Sequence, residues 1–256
     1  MSAVLTVANQ KGGVGKTTTA VNLGACLAGR GERILLIDVD PQANATTGLG
    51  LTARPGRSLY DVLVDDTELA AVVVETGQAN LSMVPATDDL AGAEVELVPF
   101  PDREFRLRKA VAGERNKYDL ILIDAPPSLG LLTVNALTAA DSVIVPVQCE
   151  YLALEGLGRL MHTIELVRQN LNHNLRLQGV LLTMYDGRTN LCQQVAAEVR
   201  SHFANTFETV IPRSVRLSEA PSYGLPILAY DRSSRAGKAY EALAGEVLAA
   251  LGKVSA

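Results

Sequence analysis

Between residues 9 and 19 the chain runs NQKGGVGKTTT. Gly12, Gly13 and Gly15 let the backbone turn tightly, so that successive N–H groups can converge on one anion. Lys16 and Thr17 close the run. An ammonium at that place reaches the β- and γ-phosphates of a nucleotide, and the adjacent hydroxyl ligates Mg²⁺. The strict phosphate-loop pattern, G-x-x-x-x-G-K-[ST], asks for glycine where this chain has Gln10. The loop also carries a second cation, Lys11, at its mouth, which the strict pattern does not use.

Carboxylates complete the chemistry of such a site. LILIDAPPS ends an apolar run in Asp124, where a carboxylate holds Mg²⁺ directly or through water. ILLIDVDPQ ends another in Asp38 and Asp40. Asp40 is a candidate to position or deprotonate an attacking water, whereas Asp38 suits a turn-capping role equally well. Phosphoryl transfer depends mainly on positioning and electrostatics, so no strongly tuned base is required.

These groups need a scaffold that brings loop and carboxylates to one edge. Short apolar runs predict strands at 3–8, 33–37, 81–84, 120–123, 143–147 and 178–183, with Ile227–Tyr230 as a candidate edge strand. Helical patterns fall at 16–30, 103–114, 131–139, 155–170, 191–204 and 236–251. Near-continuous Val/Ile/Leu strands suit burial on both faces. The expected fold is therefore α/β: a single domain with a doubly wound, mostly parallel sheet flanked by helices, and ligands at the carboxyl ends of the strands. The phosphate loop follows a strand and opens a helix, the context in which its pattern carries weight.

The chain has 256 residues, 48% of them hydrophobic, enough for a substantial core. Its longest apolar runs are too short to cross a bilayer, and the start shows no basic, signal-like segment. Cys26, Cys149 and Cys192 are far apart, which predicts reduced thiols in a cytoplasmic protein. Net charge is −5, unevenly spread: residues 59–105 hold eleven acids and one base, while 188–238 hold seven bases against four acids. A basic face of that kind can bind phosphates whatever the global sign. Aromatics are 4% and tryptophan is absent, which disfavours a base-stacking platform for single strands.

KGGVGKTT, with a lysine at the loop's start, resembles the deviant Walker A loop of the ParA/MinD group of P-loop ATPases. LLIDVDPQANAT, DLILIDAPPSLGLLTVNAL, VIVPVQCEYLALEGL and RLSEAPSYGLPI, in that order, resemble the chromosomal ParA (Soj-type) partitioning ATPases over roughly residues 3 to 250. The resemblance implies ATP and Mg²⁺ as cofactors and slow hydrolysis stimulated by a ParB-type centromere-binding partner. It implies an ATP-dependent homodimer that binds double-stranded DNA without sequence specificity, associates with the nucleoid and leaves DNA on hydrolysis. Lys11 would cross the dimer interface to the partner's phosphates, and a side chain at Gly12 would obstruct the sandwich. Gly13, Val14, Gly15, Lys16, Thr17 and Thr18 would bind phosphate, with Thr17, Asp40 and Asp124 around the metal and Asp40 as the catalytic carboxylate. Pro212 and Arg213 match the adenine-side segment. Arg188 and Arg216 match DNA-binding arginines, to which Arg235 and Lys238 are added as further candidates.

A MinD-like membrane ATPase is the nearest rival, but it needs a C-terminal amphipathic helix with a basic polar face. YEALAGEVLAALGKVSA carries two glutamates and one lysine. An iron-protein-type reductase would need a bridging cysteine pair, and DAPPS carries none. With two residues ahead of the first apolar run, no N-terminal helix-turn-helix is expected.

Overall fold

Strands such as ILLI and LILI are apolar at every position, so both of their faces must be covered. The computed structural model describes residues 2–54, 56–150 and 153–253 and supplies that cover. In chain order the elements are β1 (Ala3–Val7), α1 (Lys16–Ala28), β2 (Ile34–Asp38), α2 (Asn44–Gly48), α3 (Leu59–Val64), α4 (Leu69–Val72), β3 (Val74–Glu75), β4 (Leu81–Val84) and α5 (Leu90–Glu96). A 3₁₀ turn, Arg103–Phe105, leads into α6 (Arg106–Ala112), β5 (Leu120–Asp124), α7 (Leu131–Ala139), β6 (Ser142–Gln148), α8 (Ala153–Asn170), β7 (Arg176–Thr183) and α9 (Asn190–His202). The chain closes with α10 (Val215–Glu219), a second 3₁₀ turn (Ala220–Tyr223), α11 (Ile227–Tyr230) and α12 (Arg235–Ala250).

The seven strands form one sheet in the order β3-β4-β2-β5-β1-β6-β7. Every pairing is parallel except β3 on β4. Successive residues of a strand enter opposite cores, as the two-residue period demands. Leu35 and Ile37 belong to one core with Leu132 and Leu137 of α7 and Leu157 and Leu160 of α8. Ile34 and Leu36 belong to the other, with Leu23 and Leu27 of α1 and Tyr240 and Leu243 of α12. The register sets Val7 beside Asp124 and Asp38 beside Asp124, so three strands deliver their carboxyl ends to one place.

Two expectations change. Ile227–Tyr230 is a helical turn and not an edge strand. Pro226 precedes it, Asn22 Oδ1 accepts the Ile227 N–H at 2.6 Å, and the space beside β7 is taken by 206–212, bridged through Val180–Thr206 and Tyr185–Pro212. The predicted helix at 103–114 is a 3₁₀ turn followed by a shorter α-helix ending at Ala112. Helices α2 to α5 and strand β3 carry no long periodic pattern, and their formation rests on packing. Among the described residues no helix is long and apolar enough to cross a membrane.

Candidate nucleotide site

The loop from Gln10 to Gly15 is shaped by its own glycines and by the strands behind it. Gly13 and Gly15 adopt left-handed φ values of +74° and +87°, conformations that side chains disfavour. The Thr183 hydroxyl at the end of β7 donates to Val14 O at 2.9 Å. Asn9 Nδ2 donates to Pro146 O of β6 at 2.7 Å, while its Oδ1 accepts the Lys11 N–H at 3.0 Å. Thus β6 and β7 brace the loop from outside. Helix α1 has no side-chain cap and no acid in its first turn, leaving its first N–H groups for an anion. Lys16 folds back over the loop, its ammonium 3.4 Å from Lys11 O. Burial lowers the Lys16 pKa, and the nearby Asp124 and Asp40 charges oppose that shift.

Asp124 is fully buried, and neither of its carboxylate oxygens has a hydrogen-bond partner. Burial, then the charge of Asp38, raises its pKa well above the carboxylate range, against the pull of the Thr17 hydroxyl and Lys16. An orphaned buried carboxylate beside a hydroxyl and a lysine suits a divalent cation. No cluster of three or more His, Cys, Asp or Glu side chains could hold a metal by itself among the described residues. That donor set suits Mg²⁺, which takes one or two carboxylates and completes its shell with phosphate oxygens and water. Asp38 is occupied differently. Its Oδ1 accepts the Asp40 N–H at 3.2 Å, and its Oδ2 accepts the Thr46 N–H and hydroxyl at 2.9 and 2.8 Å. It is the turn cap, while Asp40 faces the cleft and accepts the Gln42 N–H at 3.0 Å.

The cleft has a volume of about 490 Å³ and is lined by Gly12, Gly13, Gly15, Lys16, Thr17, Thr18 and Asp40. A smaller cavity of about 160 Å³ shares Gly15, Thr18 and Met184 with it and is lined by Pro212, Arg213 and Leu217. The predicted phosphate and adenine residues therefore occupy adjoining spaces. Asp124 lies beneath the cleft floor and does not line it. Gln42, Asn44, Pro127, Met184, Pro221 and Leu225 also line the cleft and were missed in the sequence. The first three follow strand-end aspartates and had a positional signal; Pro221 and Leu225 fall within RLSEAPSYGLPI but were given no role, and Met184 arrives from a remote segment with no signal.

Comparison with known proteins gives this site a lineage. A family model described as an AAA domain matches residues 2–177. The chain is 57% identical over 251 residues to the sporulation initiation inhibitor protein Soj of Bacillus subtilis, covering 97% of this chain and 99% of that protein. It is 54% identical to the chromosome partitioning protein ParA of Caulobacter vibrioides, covering 96% and 93%. The chain belongs to the ParA/Soj family. Among solved structures, a Mycobacterium smegmatis protein described as cobyrinic acid a,c-diamide synthase, with bound ATP analog and magnesium, superposes with a TM-score of 0.85 at 41% identity, covering 95% of this chain and 93% of that one.

The lysine characteristic of the ParA/MinD loop is already engaged here. Lys11 Nζ lies 2.9 Å from Glu150 Oε2, and Gln148 Nε2 donates to the other Glu150 oxygen. Gly12 is exposed, and a Cβ built on it meets nothing within 4 Å. Both arginines that the ParA/Soj resemblance marks for DNA are paired. Arg188 is 90% exposed and forks onto Asp186 at 2.8 and 2.7 Å. Arg216 meets Glu219 at 3.0 Å and Asp231 at 3.6 Å. Arg235 and Lys238 are exposed on the first turn of α12 and have no ion pair among the described residues.

Proposed function

We propose that this chain is a chromosome-partitioning ATPase whose ATP-bound form is a sandwich dimer that binds duplex DNA without sequence preference. Hydrolysis returns it to a DNA-free form, and a ParB-type centromere-binding partner stimulates that step. The observation that carries this reading is the convergence of Lys16, Thr17, Asp40 and the orphaned Asp124 at the carboxyl ends of β1, β2 and β5.

ATP's phosphates rest on the N–H groups from Gly13 to Thr18, with the Lys16 ammonium over the β- and γ-phosphates. Thr17 and Asp124 would hold Mg²⁺, which neutralises charge on the β- and γ-oxygens. Asp40 orients the attacking water, and Pro212 and Arg213 border the base. Lys11 leaves Glu150 and reaches the partner's phosphates, supplying cationic charge in trans as an arginine finger does. Open space around Gly12 within its own chain supports an apposed subunit as the reason for glycine there. A MinD-like membrane role has less support, because α12 buries Tyr240, Leu243, Val247 and Leu248 against its own domain.

Sizing by light scattering with and without Mg-ATP tests the reading. Asp40→Ala is expected to bind ATP, double in mass and turn over far more slowly than wild type. Lys11→Ala and Gly12→Val are expected to bind fluorescent nucleotide with modestly reduced affinity and remain monomeric. Wild-type turnover in Asp40→Ala, or an ATP-induced dimer in Lys11→Ala, would overturn the assignment.

A further inference from the structure

Thr46, on α2, is 1% exposed and lies outside the cleft lining, yet every polar atom of its side chain is used. Its hydroxyl donates to Asp38 Oδ2 at 2.8 Å and accepts the Ala86 N–H at 3.0 Å. Its own N–H donates to the same Asp38 oxygen at 2.9 Å. One hydroxyl thereby joins the end of β2, the helix α2 and the segment leaving β4. The other Asp38 oxygen holds the Asp40 N–H at 3.2 Å. Between Asp40 and Thr46 the chain passes through Ala43 at φ +50°, a left-handed conformation that persists only where its surroundings hold it.

We infer that Thr46 is a positioning residue for ATP hydrolysis. It acts through Asp38 to fix the main chain of Asp40, and with it the carboxylate facing the cleft. The inference rests on the proposed role of Asp40 in orienting water. Packing alone would be served equally by valine, which has nearly the same shape. Valine, however, leaves the Ala86 N–H buried without an acceptor and removes one of the two donors to Asp38 Oδ2. The turn carrying Asp40 then loses its anchor, and displacements near 1 Å can cost about a hundredfold in rate.

A double-mutant cycle with Thr46→Val and Asp40→Ala, read by single-turnover phosphate release and fluorescent-nucleotide titration, tests it. Thr46→Val should lower the hydrolysis rate at least about tenfold with nucleotide Kd changed less than about twofold, and Thr46→Ser should restore the rate. In the Asp40→Ala background the same change should alter residual turnover by less than about twofold, since its target is gone. Wild-type turnover in Thr46→Val, an equal fractional loss in both backgrounds, or a parallel loss of nucleotide affinity overturns the inference. If Thr46→Val lowers the folded fraction by circular dichroism, Thr46→Cys takes its place, its thiol being a weak donor and acceptor. Wild-type turnover in Asp40→Ala alone would instead overturn the functional reading beneath it.

Discussion

Asp124 contributes opposite effects with and without its cation. Burial and the neighbouring Asp38 raise its pKa in the folded chain above the ordinary value near 3.9. Any stability contributed by the protonated group is complete below about pH 4 and is lost as pH rises through the raised folded value. Above the ordinary carboxylate range the nucleotide-free fold therefore bears a cost at Asp124 that the unfolded chain, with the group in water, does not. Asp124→Asn should raise the melting temperature of the free protein by several degrees at pH 7.5, each kcal/mol being worth about 2–4 °C for a chain of this size. The gain should fade towards pH 4. With Mg-ATP the order should reverse, because only the carboxylate binds the cation. A thermal-unfolding series in pH, with and without Mg-ATP, checks both parts. A gain independent of pH would place its cause elsewhere.

At the scale of elements, the cleft wall depends on two backbones in contact. Gly224, at φ +66°, follows the second 3₁₀ turn, and a Cβ there would lie 2.7 Å from Gly50 Cα and 3.0 Å from Gly50 N. Backbone cannot rotate away as a side chain can, so Gly224→Ala combines left-handed strain with a clash. The expected loss is about 2–4 kcal/mol, and nucleotide affinity should fall because neighbouring Pro221 and Leu225 line the cleft. Gly31 supplies the control: its φ is +94°, but an added Cβ meets nothing within 4 Å. Gly31→Ala should cost only the conformational term, about 1–2 kcal/mol, with affinity intact. Urea unfolding and nucleotide titration of both variants separate strain from contact.

For the whole molecule, charge placement decides the DNA reading. The acidic 59–105 stretch builds β3 and β4 at one edge of the sheet, whereas Arg188 follows β7 at the other. Arg188 and Arg216 must exchange intramolecular carboxylates for phosphates, surface pairs usually worth less than about 1 kcal/mol. In a dimer each arginine counts twice, so Arg216→Ala should flatten the log–log salt slope by about 2, at roughly 0.9 per contact, equally on unrelated duplexes. Glu219→Gln should act in the other direction, strengthening binding by freeing Arg216 from a competitor. Salt titrations of these variants on two duplexes provide the measure, and an unchanged slope in Arg216→Ala would remove that residue from the DNA face.

Much of this was legible in residue order. Five-residue Val/Ile/Leu runs announced strands buried on both faces, and Gly12 to Thr17 announced a phosphate loop, because local sterics and the alternation of side chains act over a few residues. The aspartates ending two such runs pointed to the same sheet edge for the same reason. What remained open were choices settled by contact across the fold. Asp40 was already the candidate for the water, whereas Asp38 stood open between the site and a turn cap; only the arrival of Thr46 and Ala86 makes Asp38 the cap. Ile227–Tyr230 could pair as a strand until residues 206–212 took the place beside β7 and Asn22 caught its first N–H. Met184, Pro221 and Leu225 reach the cleft from remote segments, and Lys11 finds Glu150 across 139 residues of chain. Composition and spacing encode local geometry and the chemistry it permits, whereas long-range burial decides which groups meet.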